Sequence, residues 1–148
     1  MTDNEILRIF KETGAILEGH FLLSSGLHSD RYFQMARVLQ FPPLARVLGA
    51  ELAKRYVNTN INAVIRPALG GIVLSYVVAE QLGARAIFSE REKGVMTIKR
   101  GFSIEEGENI LICEDVITTG GSVSEVIDIV SSYKANIIGV CCLVQRGI

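Results

Sequence analysis

The sequence is short of the residues that metal and disulfide chemistry use. It holds three cysteines, Cys113, Cys141 and Cys142, each inside an apolar run, and two histidines, His20 and His28. No CxxC spacing and no zinc-spaced histidine accompanies the cysteines, and an odd count argues against a disulfide framework, so they read as buried, reduced thiols. The histidines are separated by FLLSSGL rather than set on one helical turn, which suits turn or surface positions, with substrate contact as the alternative. No apolar run approaches the roughly 20 residues that span a bilayer, and MTDNEILRIF lacks the basic-then-apolar layout of a secretory signal. A cytoplasmic location without membrane attachment is expected. Positive charge is not in surplus either: 15 Lys and Arg stand against 16 Asp and Glu, a net charge of −1. A protein that coats nucleic acid needs many phosphate contacts, so that class is set aside, a small local basic cluster excepted. Two nucleotide fingerprints are missing as well, the GxxxxGK[ST] of P-loops and the GxGxxG of dinucleotide folds.

What the chain has is apolar bulk. Hydrophobic residues make up 49% against 21% charged, and mean hydropathy is +0.33. A length of 148 suits one domain with one active site, and surplus apolar surface favours an oligomer. Asp3 is placed to cap a first helix carrying Ile6, Leu7, Ile9 and Phe10, which Gly14 would end. Residues 20–34, HFLLSSGLHSDRYFQ, read as two short strands around the turn Ser24-Ser25-Gly26. Pro42 and Pro43 fit a helix's first turn, and Leu44, Val47, Leu48 and Leu52 recur at helical spacing, predicting a helix over about 43–57.

From Ile61 onward the pattern alternates. INAVI, ARAIFS, NILICED and NIIGVCCLV read as strands, and 72–82, closed by Gly83, and 123–134 read as helices. Near-continuous apolar strands such as Ile110–Cys113 and Ile137–Val144 are what a parallel sheet covered on both faces requires. Right-handed crossovers then build an α/β fold, an open, mostly parallel sheet flanked by helices. Ligands of such sheets sit beyond the carboxyl ends of the strands, so the loops after Ile65, Ser89, Cys113 and Val144 should converge on one crevice. The polar, glycine-flanked stretch Gly94–Gly107 reads as a mobile hairpin. No internal repeat, linker or low-complexity tract divides the chain.

Glu114 and Asp115 stand where an apolar strand stops, followed by Val116, Ile117, Thr118, Thr119, Gly120, Gly121 and Ser122. Two carboxylates at a strand end can accept hydrogen bonds from vicinal sugar hydroxyls. The glycines let backbone N–H groups approach phosphate oxygens, and Thr118, Thr119 and Ser122 add hydroxyl donors. Ser122 and Glu125 have capping-box spacing, so a helix is expected to start there and turn roughly half a positive charge toward a phosphate. Singly, these are the features of any solvated turn or helix cap. Together in thirteen positions, Ile110–Ser122, they point to a sugar phosphate held at a helix N-terminus.

ILICEDVITTGGS resembles the phosphoribosyl-pyrophosphate motif of type I phosphoribosyltransferases. GHFLLSSGLHSDRYFQMAR, RPALGGIVLSY, AIFSEREKGVMTIKRGF and LVQRG extend the likeness along essentially the whole chain, to the orotate phosphoribosyltransferase family in its compact form with a shortened catalytic loop. The resemblance implies the type I phosphoribosyltransferase fold as a single domain over 1–148. A small N-terminal helix and hairpin hood over about 1–40 would bind the base, and about 41–148 would form the α/β core. It implies a cytoplasmic homodimer that uses Mg2+ and transfers ribose 5-phosphate from phosphoribosyl pyrophosphate to orotate. The products would be orotidine 5'-monophosphate and pyrophosphate, in de novo pyrimidine synthesis. The reaction would invert the anomeric carbon through a transition state like an oxocarbenium ion.

By the same resemblance Glu114 and Asp115 would hold the ribose 2- and 3-hydroxyls, with Asp115 near the developing cation. Thr118 to Ser122 would cradle the 5-phosphate, with Val116 and Ile117 also contacting the donor, and catalysis would be electrostatic rather than nucleophilic. Magnesium would bridge pyrophosphate and ribose oxygens with few direct protein ligands, so no metal-ligand cluster is expected. Ala68, Leu69 and Gly70, in the Pro67–Gly71 loop, would set backbone amides against the pyrophosphate, and Arg91 and Lys93 would close over it from a loop that reaches the neighbouring subunit's site. Tyr32 and Phe33 would flank orotate and Thr118 would touch it, while Arg146 would pair with its carboxylate as a planar fork. As residues of a core strand, Tyr32 and Phe33 need no ligand at all.

Departures from the long-loop members reduce positive charge. Ser24 and Gly70 stand where those members carry lysines, and the chain passes from Lys93 directly to Gly94-Val95-Met96 without their lysine-and-histidine stretch. Arg66 stands where a small residue is usual and would restore some of that charge, in which case Arg66→Ala should change the Michaelis constant for the donor. Relatives usually continue for a few elements beyond the strand that offers Arg146, and such a tail would help cover the base. Two rivals share the fold. A purine-type phosphoribosyltransferase would differ in its base pocket, and a nucleotide-sensing regulator would need a contiguous basic face or an added DNA-binding domain.

Overall fold

In the computed structural model, which describes residues 1–23, 26–68, 70 and 72–146, Thr2 caps the first helix, α1 (Asp3–Thr13). Its hydroxyl accepts from the Glu5 N–H and the Glu5 carboxylate accepts from the Thr2 N–H. The cap is Thr2 rather than Asp3 because Thr2 has a glutamate three residues on, the spacing of a reciprocal box. Gly14 ends α1 in the left-handed region at φ 74°. Strands β1 (Ile16–Leu22) and β2 (His28–Phe33) pair antiparallel as the expected hairpin, whose turn residues Ser24 and Ser25 lie outside the described residues. A short helix, α2 (Ala36–Leu39), joins the hairpin to α3 (Pro42–Ala53), which has both prolines in its first turn. Helix α3 stops at Ala53 rather than near 57. The chain then turns so that Tyr56 packs on Gly139, where a Cβ would come within 2.9 Å of the tyrosine hydroxyl.

The remaining elements alternate as expected: β3 (Ala63–Pro67), α4 (Ile72–Leu82), β4 (Arg85–Glu92), β5 (Val95–Ile98), β6 (Asn109–Ile117), α5 (Gly121–Ser132) and β7 (Asn136–Gln145). They form a sheet of order β5-β4-β3-β6-β7, parallel from β4 to β7 with β5 antiparallel at one edge. The stretch expected as a mobile hairpin from Gly94 is therefore partly sheet. Its turn is Lys93-Gly94, with φ of 51° and 80°, a pair of left-handed residues that suits a two-residue hairpin loop.

Alternation along β3 and β6 sorts their side chains between two layers. Val64, Leu111 and Cys113 pack with Leu48 and Leu52 of α3 and Leu74 and Val78 of α4. Ala63, Ile65, Ile110 and Ile112 pack with Val123, Val126 and Val130 of α5. Because both faces are covered, the stretches Ala63–Ile65 and Ile110–Cys113 needed to be apolar throughout. Helices α3 and α4 meet at Gly49, where a Cβ would stand 2.6 Å from Val77 Cγ1. The cysteines are free thiols, Cys113 and Cys141 buried and Cys142 half-buried. From β3 the chain first builds β4 on one side, then returns to place β6 on the other. The crevice at the carboxyl ends of β3 and β6 is thus a topological switch point.

Candidate active site

Parallel pairing of β3 with β6 sets Arg66 and Glu114 on neighbouring strands at this crevice, both buried. Arg66 Nη2 lies 3.2 Å from Glu114 Oε1, and Nη1 lies 3.7 Å from Asp115 Oδ1. Nε donates to the carbonyl of Pro67. Both contacts are ion pairs rather than aligned hydrogen bonds, since Glu114 Oε1 and Arg66 Nη1 each lack a hydrogen-bond partner among the described residues, as does Ser89 Oγ. Burial pushes the Glu114 carboxyl up to about 7; Arg66 opposes the rise and Asp115 adds to it. Asp115 is more open and accepts from the Val116 N–H at 2.8 Å. Arg66 thus directs its charge at the two acids.

Beyond the acids the backbone turns at Gly120, φ 81°, which serves as the N-cap of α5 without any side-chain hydrogen bond. The expected capping box is absent. Ser122 lies inside the first turn, and Glu125 is held instead by Arg91, whose Nη1 and Nη2 each donate to it at 2.7 Å. The uncapped N–H groups of the first turn remain available to an anion. Glu114, Val116, Ile117, Thr118, Thr119, Gly120, Gly121 and Ser122 line a cavity of about 80 Å³. The β3 loop closes one side, since a Cβ on Gly70 would stand 3.8 Å from Asp115 Oδ2. Ala68 is anchored through its N–H to the Ser89 carbonyl at 2.7 Å. Leu69 and Gly71, also expected in this loop, lie outside the described residues. Lys93 is exposed in the β4–β5 turn, beyond the Arg91–Glu125 pair.

On the other side β7 brings Arg146 alongside. Its N–H donates to the Ile117 carbonyl at 2.9 Å, its Nη2 donates to Ser29 Oγ at 2.6 Å, and its guanidinium lies 5.1 Å from the centre of the Phe33 ring. Ser29, Arg31, Phe33 and Arg146 help line a cavity of about 250 Å³. Tyr32 is not among its walls. Neighbouring residues of a strand point to opposite faces, so Tyr32 turns away toward Phe21, ring centres 5.7 Å apart. Only Phe33 of the expected aromatic pair meets Arg146. Ser29 and Arg31 were not singled out in the sequence, although the two-residue period from Phe33 carries that signal. His20 and His28 stack at 4.8 Å, exposed on the hairpin.

A larger cavity, about 500 Å³, lies at the amino ends of β3 and β4, lined by Tyr56, Asn60, Asn62, Gln81 and Arg85 among others. It carries no carboxylate, whereas the smaller cavity at the switch point joins the Glu114 carboxylate, hydroxyls and a helix N-terminus.

Residues 36–148 match the family model for the phosphoribosyl transferase domain. The chain is similar to an orotate phosphoribosyltransferase of Pelotomaculum thermopropionicum, 56% identical over 147 residues, which is 99% of this chain and 77% of that protein. It is 53% identical to an orotate phosphoribosyltransferase of Thermoanaerobacter sp., with the same shares covered. Among solved structures, orotate phosphoribosyltransferase from Aeropyrum pernix superposes with a TM-score of 0.80 at 26% identity, over 96% of this chain and 82% of that one.

Proposed function

The chain belongs to the orotate phosphoribosyltransferase family, and from that premise we infer how its own residues carry the reaction. It is a pentosyltransferase that moves ribose 5-phosphate from phosphoribosyl pyrophosphate to orotate, giving orotidine 5'-monophosphate and pyrophosphate. The observation that carries the assignment of the site is the pair Glu114–Asp115, set between Gly70 of the β3 loop and the uncapped N-terminus of α5. In the proposed arrangement the two carboxylates accept from the ribose hydroxyls. Backbone N–H groups and hydroxyls from Thr118 to Ser122 take the 5-phosphate, and Ala68 and Gly70 take the pyrophosphate. Asp115, more open than Glu114, stabilises the positive charge that develops at the anomeric carbon. Arg91 and Lys93 answer the growing negative charge of the leaving group. Arg146, beside Phe33 and bonded through its N–H to the Ile117 carbonyl, is the fork for the orotate carboxylate, with Thr118 touching the base.

Magnesium is proposed to arrive on the donor. In this reading the loops that hold the donor's phosphates would hold the ion through it. When bound, it would neutralise charge on the pyrophosphate. A homodimer is proposed too, supported by the exposed apolar side chains Val73 and Tyr76 on α4. No helix is long and apolar enough to cross a membrane among the described residues. A cytoplasmic location, and one domain with the hood and core acting on a single site, complete the reading.

The test is to incubate the chain with magnesium, phosphoribosyl pyrophosphate and one base at a time, following pyrophosphate release. Release with orotate and not with purine bases is expected. Release with adenine or another purine in place of orotate would overturn the assignment.

A further inference from the structure

We propose that Arg66 is a positioning residue of the ribose site, fixing Glu114 and Asp115 as a preformed acceptor pair and, with Glu114, framing the place of one ribose hydroxyl. The inference rests on the reading of Glu114 and Asp115 as ribose-binding acids, and it adds a role for a residue on a neighbouring strand.

Arg66 sits on a strand whose every residue is buried, with its side chain 6% exposed. A guanidinium is tolerated there only when its charge is met, because an unpaired buried charge is strongly destabilising. Its own strand orients it through Nε and the Pro67 carbonyl, which turns the two terminal nitrogens toward β6. At 3.2 Å and 3.7 Å they bridge both acids. The groups facing Glu114 are Arg66 from β3, Asp115 and Cys113 from β6, and Cys142, its register partner, from β7. Arg66 is the cation of that set. Remove it and desolvation and Asp115 act on Glu114 unopposed, both favouring the protonated form. A protonated carboxyl is a poorer acceptor for a sugar hydroxyl.

The unsatisfied atoms support the second half of the proposal. Arg66 Nη1 is a buried donor and Glu114 Oε1 a buried acceptor, both without a hydrogen-bond partner among the described residues. A ribose hydroxyl brought against them would accept from Nη1 and donate to Oε1.

Titration calorimetry of the 148-residue chain with phosphoribosyl pyrophosphate and magnesium, repeated from mildly acid to mildly alkaline pH, tests this on wild type, Arg66→Lys and Arg66→Met. The Met variant should bind the donor at least about tenfold more weakly, as loss of a charged hydrogen-bonding partner implies. The pH at which donor affinity is half lost on acidification should move upward, and Arg66→Lys should recover part of both effects. A Met variant with the wild-type pH dependence would overturn the proposal, as would a Lys variant no better than Met. Should Arg66→Met fail to fold, the Lys variant decides alone: its acid-side loss must lie above that of wild type, and an unmoved one refutes the role. Turnover is read separately. Donor binding with the expected pH shift but no release with orotate would refute the assigned base and leave the role of Arg66 standing.

Discussion

Arg91 grips Glu125 through two parallel hydrogen bonds of 2.7 Å, tying the end of β4 to the first turns of α5 beside the phosphate cavity. The pair is solvent-exposed, where ion pairs contribute little to stability. It does place a fork-shaped cation next to the loop that receives the donor, and its bonds to Glu125 keep it fully charged. Arg91→Ala should lower kcat/KM by on the order of a hundredfold with the melting temperature essentially unchanged. Steady-state kinetics alongside a thermal melt checks this, and an Arg91→Ala enzyme with near-normal turnover would remove Arg91 from the catalytic group.

Asp115 meets solvent and Gly70 on one side and Arg66 on the other, so its charge is available where the anomeric carbon becomes positive. Asp115→Asn keeps the shape and removes the charge. Turnover should fall by on the order of a hundredfold or more, while donor affinity changes much less. Equal losses in binding and turnover would mean that Asp115 acts in the ground state.

Glu114 supplies a pH signature in stability. Its carboxyl is raised from the ordinary 4.5 to about 7 in the folded chain, chiefly by burial. The folded state therefore holds on to a proton that the unfolded chain gives up, and the associated stability is present below 4.5 and lost as pH rises through about 7. Glu114→Gln does not titrate. Melting curves across that range should show the Gln variant gaining on wild type as pH rises, and parallel curves would refute the shift.

Gly49 has no room for a methyl group, since its Cβ would lie 2.6 Å from Val77 Cγ1 on α4. Better helix propensity would ordinarily make Gly→Ala favourable mid-helix by about 1 kcal/mol. Here overpacking should outweigh it, and Gly49→Ala is expected to destabilise by about 1–2 kcal/mol in urea titration. A stabilised variant would mean that α3 and α4 separate without cost.

Much of this was legible in the order of residues. Apolar runs over Ala63–Ile65 and Ile110–Cys113 mark strands buried on both faces, and Glu114-Asp115 followed, after Val116 and Ile117, by TTGGS marks the ligand end. These are local signals, because the period of side chains and the freedom of glycine belong to neighbouring residues along one chain. Partnerships across the chain were not legible. Ser122 and Glu125 had the spacing of a capping box, yet Arg91, 34 positions away, holds Glu125. Tyr32 and Phe33 looked like a pair, and strand geometry sends them to opposite faces. Arg66 read as a spare charge near a pyrophosphate loop, and only the parallel alignment of β3 with β6 turned it onto Glu114 and Asp115. The sequence by itself determined the strands, the acids and the phosphate loop. The tertiary structure decided which cation meets which acid, because a buried charge is satisfied by whatever the sheet register sets within a few ångströms of it.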